Sequence, residues 1–139
     1  MTAEQIREWA AHGIEFGAHS RTHPDLTALS QAALVEEVAG SGQDLAGIVG
    51  TRVVSFAYPY GFHNEPVLNC VRGAFDLAFG TDEGLNDIAT DPYLLLRTMV
   101  QPTDSWMDLR WRVRLGWNPL QRLRTRIARA RGRLGTVER

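Results

Sequence analysis

Helix-like and strand-like segments alternate along the first hundred residues of this 139-residue chain. Helical patterns cover about residues 3–12, 31–49 and 65–73, and strand-like runs cover residues 14–18, 53–57, 76–80 and 93–96. The run Val-Val-Ser-Phe-Ala at 53–57 is nearly continuous in apolar residues, which is typical of a strand buried on both faces. Because strands joined by helices form parallel sheets, the pattern predicts an α/β fold with parallel strands.

Capping residues predict where the first two helices begin and end. Thr2 is followed three residues later by Gln5, which is the spacing of a capping box, and Gly13 ends that helix. Ser30 precedes the long second helix, and Gly50 follows it.

The formal net charge of −1 combines two regions of opposite charge. Residues 1–109 hold 5 Arg and 15 acidic residues, whereas residues 110–139 hold 10 Arg and the single acid Glu138. We therefore predict an α/β domain over residues 1–109 and an Arg-rich helical extension over residues 110–139. The single cysteine, Cys70, excludes an internal disulfide and a cysteine-based zinc site.

No stretch of the sequence reaches the ~20 apolar residues that span a bilayer. Residues 1–8 also lack the apolar core of a secretory signal. We therefore expect the chain, as written, to stay in the cytoplasm.

Two histidines, His19 and His23, follow the first predicted strand with three residues between them. In a tight turn both imidazoles can reach one ion, and imidazole suits zinc and similar divalent metals. The alternative is a pair of loop histidines that hydrogen-bond to the backbone. Three other loops follow strands on the same predicted face, at residues 58–61, at residues 81–83 and at Arg97. Because ligands collect at the carboxyl ends of parallel strands, we expect a site there.

The residues of this face resemble two motifs of the NodB-type polysaccharide deacetylases (carbohydrate esterase family 4). The family's H-[ST]-x-x-H-P motif matches residues 19–24, His-Ser-Arg-Thr-His-Pro. The F-x-Y-P-Y-G motif of one branch matches residues 56–61, Phe-Ala-Tyr-Pro-Tyr-Gly. The resemblance covers about residues 3–100. It implies a partial NodB-type (β/α) barrel that removes acetyl groups from N-acetylated polysaccharides or oligosaccharides.

The resemblance also implies roles for individual residues. His19 and His23 match the metal ligands, for zinc or another divalent metal. Tyr60 matches the residue whose backbone N–H stabilises the oxyanion, and Arg97 is an orienting residue or, alternatively, part of an exposed ion pair. The residues that match the substrate-binding loop are Tyr58, Pro59, Tyr60 and Gly61.

Two parts of the family's pattern have no match. The T-F-D-D-G motif supplies the catalytic base and an aspartate ligand upstream of the histidines, but the 18 residues before His19 contain no Asp. The family's late histidine, its general acid, is also unmatched, because no His follows His63. We therefore expect weak metal binding and a truncated, weakly active or inactive deacetylase. The alternative is a non-catalytic remnant that associates with carbohydrate or with a membrane surface.

The last thirty residues follow a different pattern. Residues 106–113 are interpreted as an aromatic-rich bridge, and Asn118 and Pro119 begin a helix over residues 118–139 with an apolar stripe and many Arg. Basic amphipathic helices bind anionic membrane surfaces. The alternative is a solvated helix whose apolar stripe packs on the acidic domain. Nucleic acid is the weaker candidate, because nothing else in the chain resembles a nucleic-acid-binding module.

Overall fold

The computed structural model of the protein describes residues 1–117 and 119. The described residues form a mixed helix and strand structure, as the alternation predicted. Its elements in chain order are α1 (Ala3–Ala11), a 3-10 turn (Leu26–Ala28), α2 (Gln31–Val49), β1 (Ser55–Ala57), a 3-10 turn (Pro59–Gly61), α3 (Glu65–Ala74), β2 (Leu77–Phe79) and α4 (Trp106–Leu115).

These elements fall into two compact units. The first unit comprises Met1–Asp82 and Asn86–Leu96 and contains α1 to β2. The second unit comprises Glu83–Leu85 and the described residues from Arg97 onward, which include α4. The predicted domain boundary after residue 109 falls inside α4 and stays a prediction.

The strands of the first unit pair in parallel. β1 lies beside β2 with Phe56 opposite Ala78. Single parallel bridges extend the arrangement on both sides, from Ala18 to Phe56 and from Leu95 to Phe79. All these neighbours run parallel and follow one another in chain order, as expected for strands joined by helical crossovers. Their carboxyl ends therefore lie at the same edge of the sheet.

The two outer strand predictions were only partly correct. Of residues 14–18 only Ala18 pairs, and of residues 93–96 only Leu95 pairs. A strand is stabilised by the hydrogen bonds of its neighbours, and within the described residues neither outer run has a ladder on its far side. The described residues thus form a small parallel sheet, and they do not close the barrel that the resemblance implies.

Helices α2 and α3 cover the sheet and enclose the core. The apolar faces of these helices and the inner face of the strands meet there, burying Leu34, Val38, Val67, Val71, Phe56 and Ala78. Such burial contributes roughly 1.5–3 kcal/mol per large apolar side chain. The core therefore fixes α2 against β1, which places the loops at the carboxyl ends of the strands.

The predicted helix ends are confirmed. Thr2 and Gln5 form a reciprocal capping box on α1, and the hydroxyl of Ser30 accepts from the N–H of Ala33 at the start of α2. Gly50 ends α2 in the left-handed conformation, with φ 78°. These ends were predictable because caps depend on contacts within one turn of the chain.

Helix α4 corrects the prediction that residues 106–113 form a bridge. Ser105 and Asp108 build a second capping box, and Gly116 ends the helix with φ 74°. The sequence signal was the Ser-x-x-Asp spacing, which the scattered aromatic residues of this segment hid. None of the described helices combines the length and apolar character that a membrane span requires. The helix predicted over residues 118–139 lies outside the described residues, apart from position 119.

The described part of the second unit contains a buried guanidinium. Arg112 on α4 is only 2% exposed. Its Nε donates to Asp104 at 2.7 Å, and its Nη1 donates to Glu83 at 3.3 Å. A buried cation requires paired acceptors, and these two carboxylates supply them inside the unit.

Candidate active site

His19 and His23 converge directly after the bridged residue Ala18. Their ring centroids lie 4.8 Å apart, and the ring planes meet at 72°. Both residues are exposed. The two imidazoles therefore lie next to each other on the surface, as the spacing of the pair predicted.

The strand β1 sets the orientation of the first imidazole. Nδ1 of His19 lies 2.7 Å from the carbonyl oxygen of Ala57. Because a carbonyl can only accept, Nδ1 donates in this bond, and the neutral form of the ring then has its lone pair on Nε2. Metal-binding histidines are commonly held in this way by a backbone carbonyl.

The backbone of the turn that carries both histidines is strained. Ser20 has φ 60° and His23 has φ 58°, in the left-handed region that side chains with a Cβ rarely adopt. The only other non-glycine residue with positive φ in the described part of the chain is Tyr60, at φ 58°. Each such residue costs on the order of 1–3 kcal/mol, and such residues cluster at functional sites. All three lie in the candidate site.

The loop after β1 packs against this turn. The ring of Tyr60 lies edge to face with the ring of His23, with centroids 4.5 Å apart. Gly61 donates its N–H to the carbonyl of Tyr58 at 3.0 Å and has φ 76°, a conformation that glycine adopts without strain. The structure therefore brings the two predicted motifs together.

The four predicted substrate-binding residues differ in accessibility. Tyr58 is fully buried, its hydroxyl donates to the carbonyl of Tyr93 at 3.0 Å, and burial raises the pKa of Tyr58 to about 12. Pro59 is buried as well. Tyr60 is 56% exposed and Gly61 partly exposed. Tyr58 and Pro59 thus anchor the loop in the core. Contact of all four residues with a sugar stays a prediction.

A shallow groove of about 370 Å³ continues from the loop and is lined by Thr27, Gly61, Phe62 and His63. The ring of Phe62 lies 5.8 Å from that of Tyr60, and Nδ1 of His63 lies 3.0 Å from the carbonyl of Gly61. A larger groove of about 790 Å³ contains none of the predicted site residues. Exposed aromatic rings beside the histidines offer flat surfaces of the kind that pack against sugars.

Arg97 belongs to the second unit and is exposed. Its predicted orienting role stays a prediction.

The two histidines fit a divalent metal as a partial ligand set. Each imidazole suits zinc, and the hydrogen bond of His19 leaves Nε2 available. Among residues 1–117 and 119, no group of three or more His, Cys, Asp or Glu forms a metal-binding cluster. Catalytic zinc sites use three protein ligands, so metal binding by His19 and His23 stays a prediction, and we expect two ligands alone to bind metal weakly.

Sequence reasoning missed the residues that tie the turn to α2. The carboxylate of Glu37 accepts hydrogen bonds from the N–H groups of Arg21 and Thr22 at 2.8 and 2.9 Å and from the Thr22 hydroxyl at 2.7 Å. Gly40, in the middle of α2, was a signal for the position of the Arg21 side chain only. A Cβ on Gly40 would lie 2.5 Å from Cζ of Arg21, so only a residue without a side chain leaves room for the guanidinium at this position.

Comparisons with known proteins agree with this geometry. The sequence model of the family described as polysaccharide deacetylase matches residues 1–74, more than half of the chain. The chain therefore belongs to the polysaccharide deacetylase family. This is a family of hydrolases that act on N-acetyl groups and are generally metal-dependent.

Individual relatives match with modest identity. The chain is 27% identical over 103 residues to "Putative polysaccharide deacetylase YxkH" of Bacillus subtilis (strain 168), covering 73% of this chain and 37% of YxkH. The Streptococcus pyogenes deacetylase PplD, solved in complex with acetate, is 28% identical with a TM-score of 0.74, over 78% of this chain and 49% of PplD. The family 4 carbohydrate esterase from Streptomyces lividans, also with acetate, is 27% identical with a TM-score of 0.54, over 58% of this chain and 42% of the esterase. The chain thus spans less than half of each relative.

Proposed function

We propose that this chain is the histidine-bearing part of a metal-dependent, NodB-type barrel deacetylase that acts on N-acetylated polysaccharides or oligosaccharides. The observation that carries this proposal is the convergence of His19 and His23 at the end of a parallel strand, against Tyr60 of the neighbouring loop. The PplD and Streptomyces lividans structures each hold acetate, the product that such a reaction releases.

In the proposed reaction, water adds to the acetamide carbonyl, the C–N bond breaks, and acetate and an amine are released. His19 and His23 would hold zinc or another divalent ion, which supplies Lewis acidity when bound. The backbone N–H of Tyr60 would donate to the oxygen that becomes anionic, an interaction worth ~3 kcal/mol in comparable sites. Tyr60 and Gly61 would contact the sugar from the loop, and Arg97 would act as an orienting residue.

Acetate release from chitooligosaccharides in the presence of zinc tests this function. We expect slow release from the chain alone, because the described residues contain no group of three His, Cys, Asp or Glu that could complete a metal site and supply a base to its water. The slow release should be lost in His19→Ala and in His23→Ala and retained in His12→Ala, which changes the histidine that caps the C-terminal end of α1. Rapid release that neither His19→Ala nor His23→Ala reduces would contradict the proposal.

A second candidate function is carbohydrate binding without hydrolysis. The exposed rings of Tyr60 and Phe62 favour it, because they lie side by side next to the groove. Saturable binding of a chitooligosaccharide without acetate release, weakened by Phe62→Ala, would support this candidate over the first. The membrane-surface role predicted for residues 118–139 lies outside the described residues, and no observation on the described residues supports it.

A further inference from the structure

We propose that Glu37 is a positioning residue, whose carboxylate holds the turn of residues 19–23 in the conformation that lets both imidazoles reach one ion. This inference rests on the proposed metal role of His19 and His23. Glu37 acts through the backbone of the turn, since each of its hydrogen bonds goes to Arg21 or Thr22.

The turn requires such a restraint because its backbone is strained at both ends. Ser20 and His23 have left-handed φ values, and Arg21 and Thr22 are the two residues between them. A non-glycine residue keeps this conformation only where surrounding contacts enforce it. Within the turn the N–H of His23 donates to Oγ of Ser20 at 3.0 Å, but this bond is internal and does not fix the turn to the protein.

Glu37 supplies the external restraint with both of its oxygens. Oε2 accepts from the N–H of Arg21 at 2.8 Å and from the N–H of Thr22 at 2.9 Å, and Oε1 accepts from the Thr22 hydroxyl at 2.7 Å. Hydrogen bonds to an ionised carboxylate are stronger than those between neutral groups. Partial burial alone would raise the pKa of Glu37, but the bonds from Thr22 and Arg21 together lower it, so the carboxylate stays charged.

The helix that carries Glu37 is a rigid support. Leu34 and Val38 lie on either side of Glu37 in the sequence of α2, and both are buried in the core. The carboxylate therefore has a fixed position relative to β1, whose Ala57 carbonyl orients His19. Strand β1 thus holds the start of the turn at His19, and helix α2 holds its middle at Arg21 and Thr22.

The side chain of Arg21 makes a second link that serves as an internal comparison. Its Nε and Nη2 donate to Asp44 at 2.7 and 2.9 Å, and its Nη1 donates to Glu36 at 2.6 Å. These bonds hold the side chain of Arg21 and do not involve the backbone of the turn. Exposed ion pairs contribute little, so we expect loss of this link to leave the imidazoles in place.

The test compares Glu37→Gln with Asp44→Asn in the full chain. Both changes replace an acid on α2 by its amide, but only Glu37→Gln removes the negative charge from the group that accepts the N–H donors of the turn. By titration with zinc alone, we expect Glu37→Gln to lower affinity about 10- to 100-fold, the usual effect of losing an outer-shell partner. Asp44→Asn should stay within about threefold of the wild type. Equal affinity of Glu37→Gln and wild type would overturn the inference.

A measurement on the metal-free protein separates this inference from the proposed function. In Glu37→Gln, amide hydrogen exchange at Arg21 and Thr22 should accelerate, and the nuclear Overhauser contact between the rings of His19 and His23 should weaken. Both should persist in Asp44→Asn. If the wild type binds no zinc, the metal proposal fails, and these two signals still decide the role of Glu37. Wild-type exchange and ring contact in Glu37→Gln would refute it.

A third variant covers the case in which Glu37→Gln does not fold. Thr22→Val removes only the hydroxyl bond to Oε1 of Glu37 and preserves the size of the side chain. We expect an intermediate loss of zinc affinity, with amide exchange accelerated at Thr22. Unchanged affinity and exchange in this variant would count against the inference.

Discussion

The ring of His23 lies edge to face with the ring of Tyr60, with their centroids 4.5 Å apart. The two residues come from the loops that follow two neighbouring parallel runs, and both have φ 58°. The contact therefore joins the proposed metal ligands to the loop proposed to stabilise the oxyanion. It also means that two strained backbone positions depend on each other's placement.

The strained backbone of Tyr60 gives a first prediction. Because φ is positive there, Tyr60→Gly should give a higher free energy of unfolding than Tyr60→Ala, by about 1 kcal/mol. Phe62 has an ordinary φ of −76°, so the order should reverse and Phe62→Ala should be the more stable of that pair. Urea denaturation of the four variants measures both differences. Greater stability of Tyr60→Ala would contradict the left-handed assignment.

Two glycines of α2 give a second, matched prediction. A Cβ on Gly42 would lie 2.9 Å from the ring of Phe75, whereas a Cβ on Gly47 would meet nothing within 4 Å. Gly47→Ala should therefore stabilise the protein by ~1 kcal/mol through helix propensity. Gly42→Ala should destabilise it by roughly 1 kcal/mol, because the steric overlap of the new methyl group with Phe75 costs more than helix propensity gains. Thermal unfolding distinguishes these outcomes, and a stabilising Gly42→Ala would contradict the packing of α2 on Phe75.

The core gives a third prediction. Leu34 is 2% exposed, so Leu34→Ala should lower the free energy of unfolding by about 2–5 kcal/mol. Leu85, which is 53% exposed, is the matched control, and its replacement by Ala should change stability by about 0.5 kcal/mol or less. Similar effects of the two substitutions in chemical denaturation would show that α2 does not form the core as described.

Tyr58 gives a prediction that depends on pH. Its folded pKa of about 12 lies above the usual value of 10, so the stability linked to this group is complete below pH 10 and is lost between pH 10 and 12. Near pH 8, Tyr58→Phe should be less stable than wild type by about 1 kcal/mol, because the Tyr93 carbonyl loses its donor.

Near pH 11.5 the order should reverse, because ionisation of Tyr58 then destabilises the wild type by roughly 2 kcal/mol and the Phe variant cannot ionise. Urea unfolding at the two pH values measures the difference. A constant difference from pH 8 to pH 11.5 would contradict the raised pKa.

The sequence predicted features that depend on short-range contacts. The caps at Thr2 and Ser30 and the end of α2 at Gly50 are local, and the convergence of His19 and His23 follows from a tight turn. The sequence overestimated the length of the two outer strands. Whether residues 14–18 form a hydrogen-bonded ladder depends on a neighbouring strand rather than on their own composition.

The role of Glu37 was not predictable from its neighbourhood. A pair of adjacent acids in a helix usually marks a solvated face, and the partners of Glu37 lie on a loop fifteen and sixteen residues earlier in the chain. Only the positive φ values of the turn show why an anchor is needed there. The family resemblance predicted His19 and His23 as metal ligands, but it gave no information on the groups that hold these two residues.

The most direct test of the account is whether His19 and His23 bind the same ion. Nitrogen-15 spectra of the imidazole side chains, recorded during a zinc titration of the full chain, report each ring separately. We predict that Nε2 of His19 and a ring nitrogen of His23 shift together at one stoichiometric equivalent. Replacing either histidine by Ala should remove the response of the other. If zinc left both rings unchanged, or shifted them independently and at different concentrations, the shared metal site would be wrong.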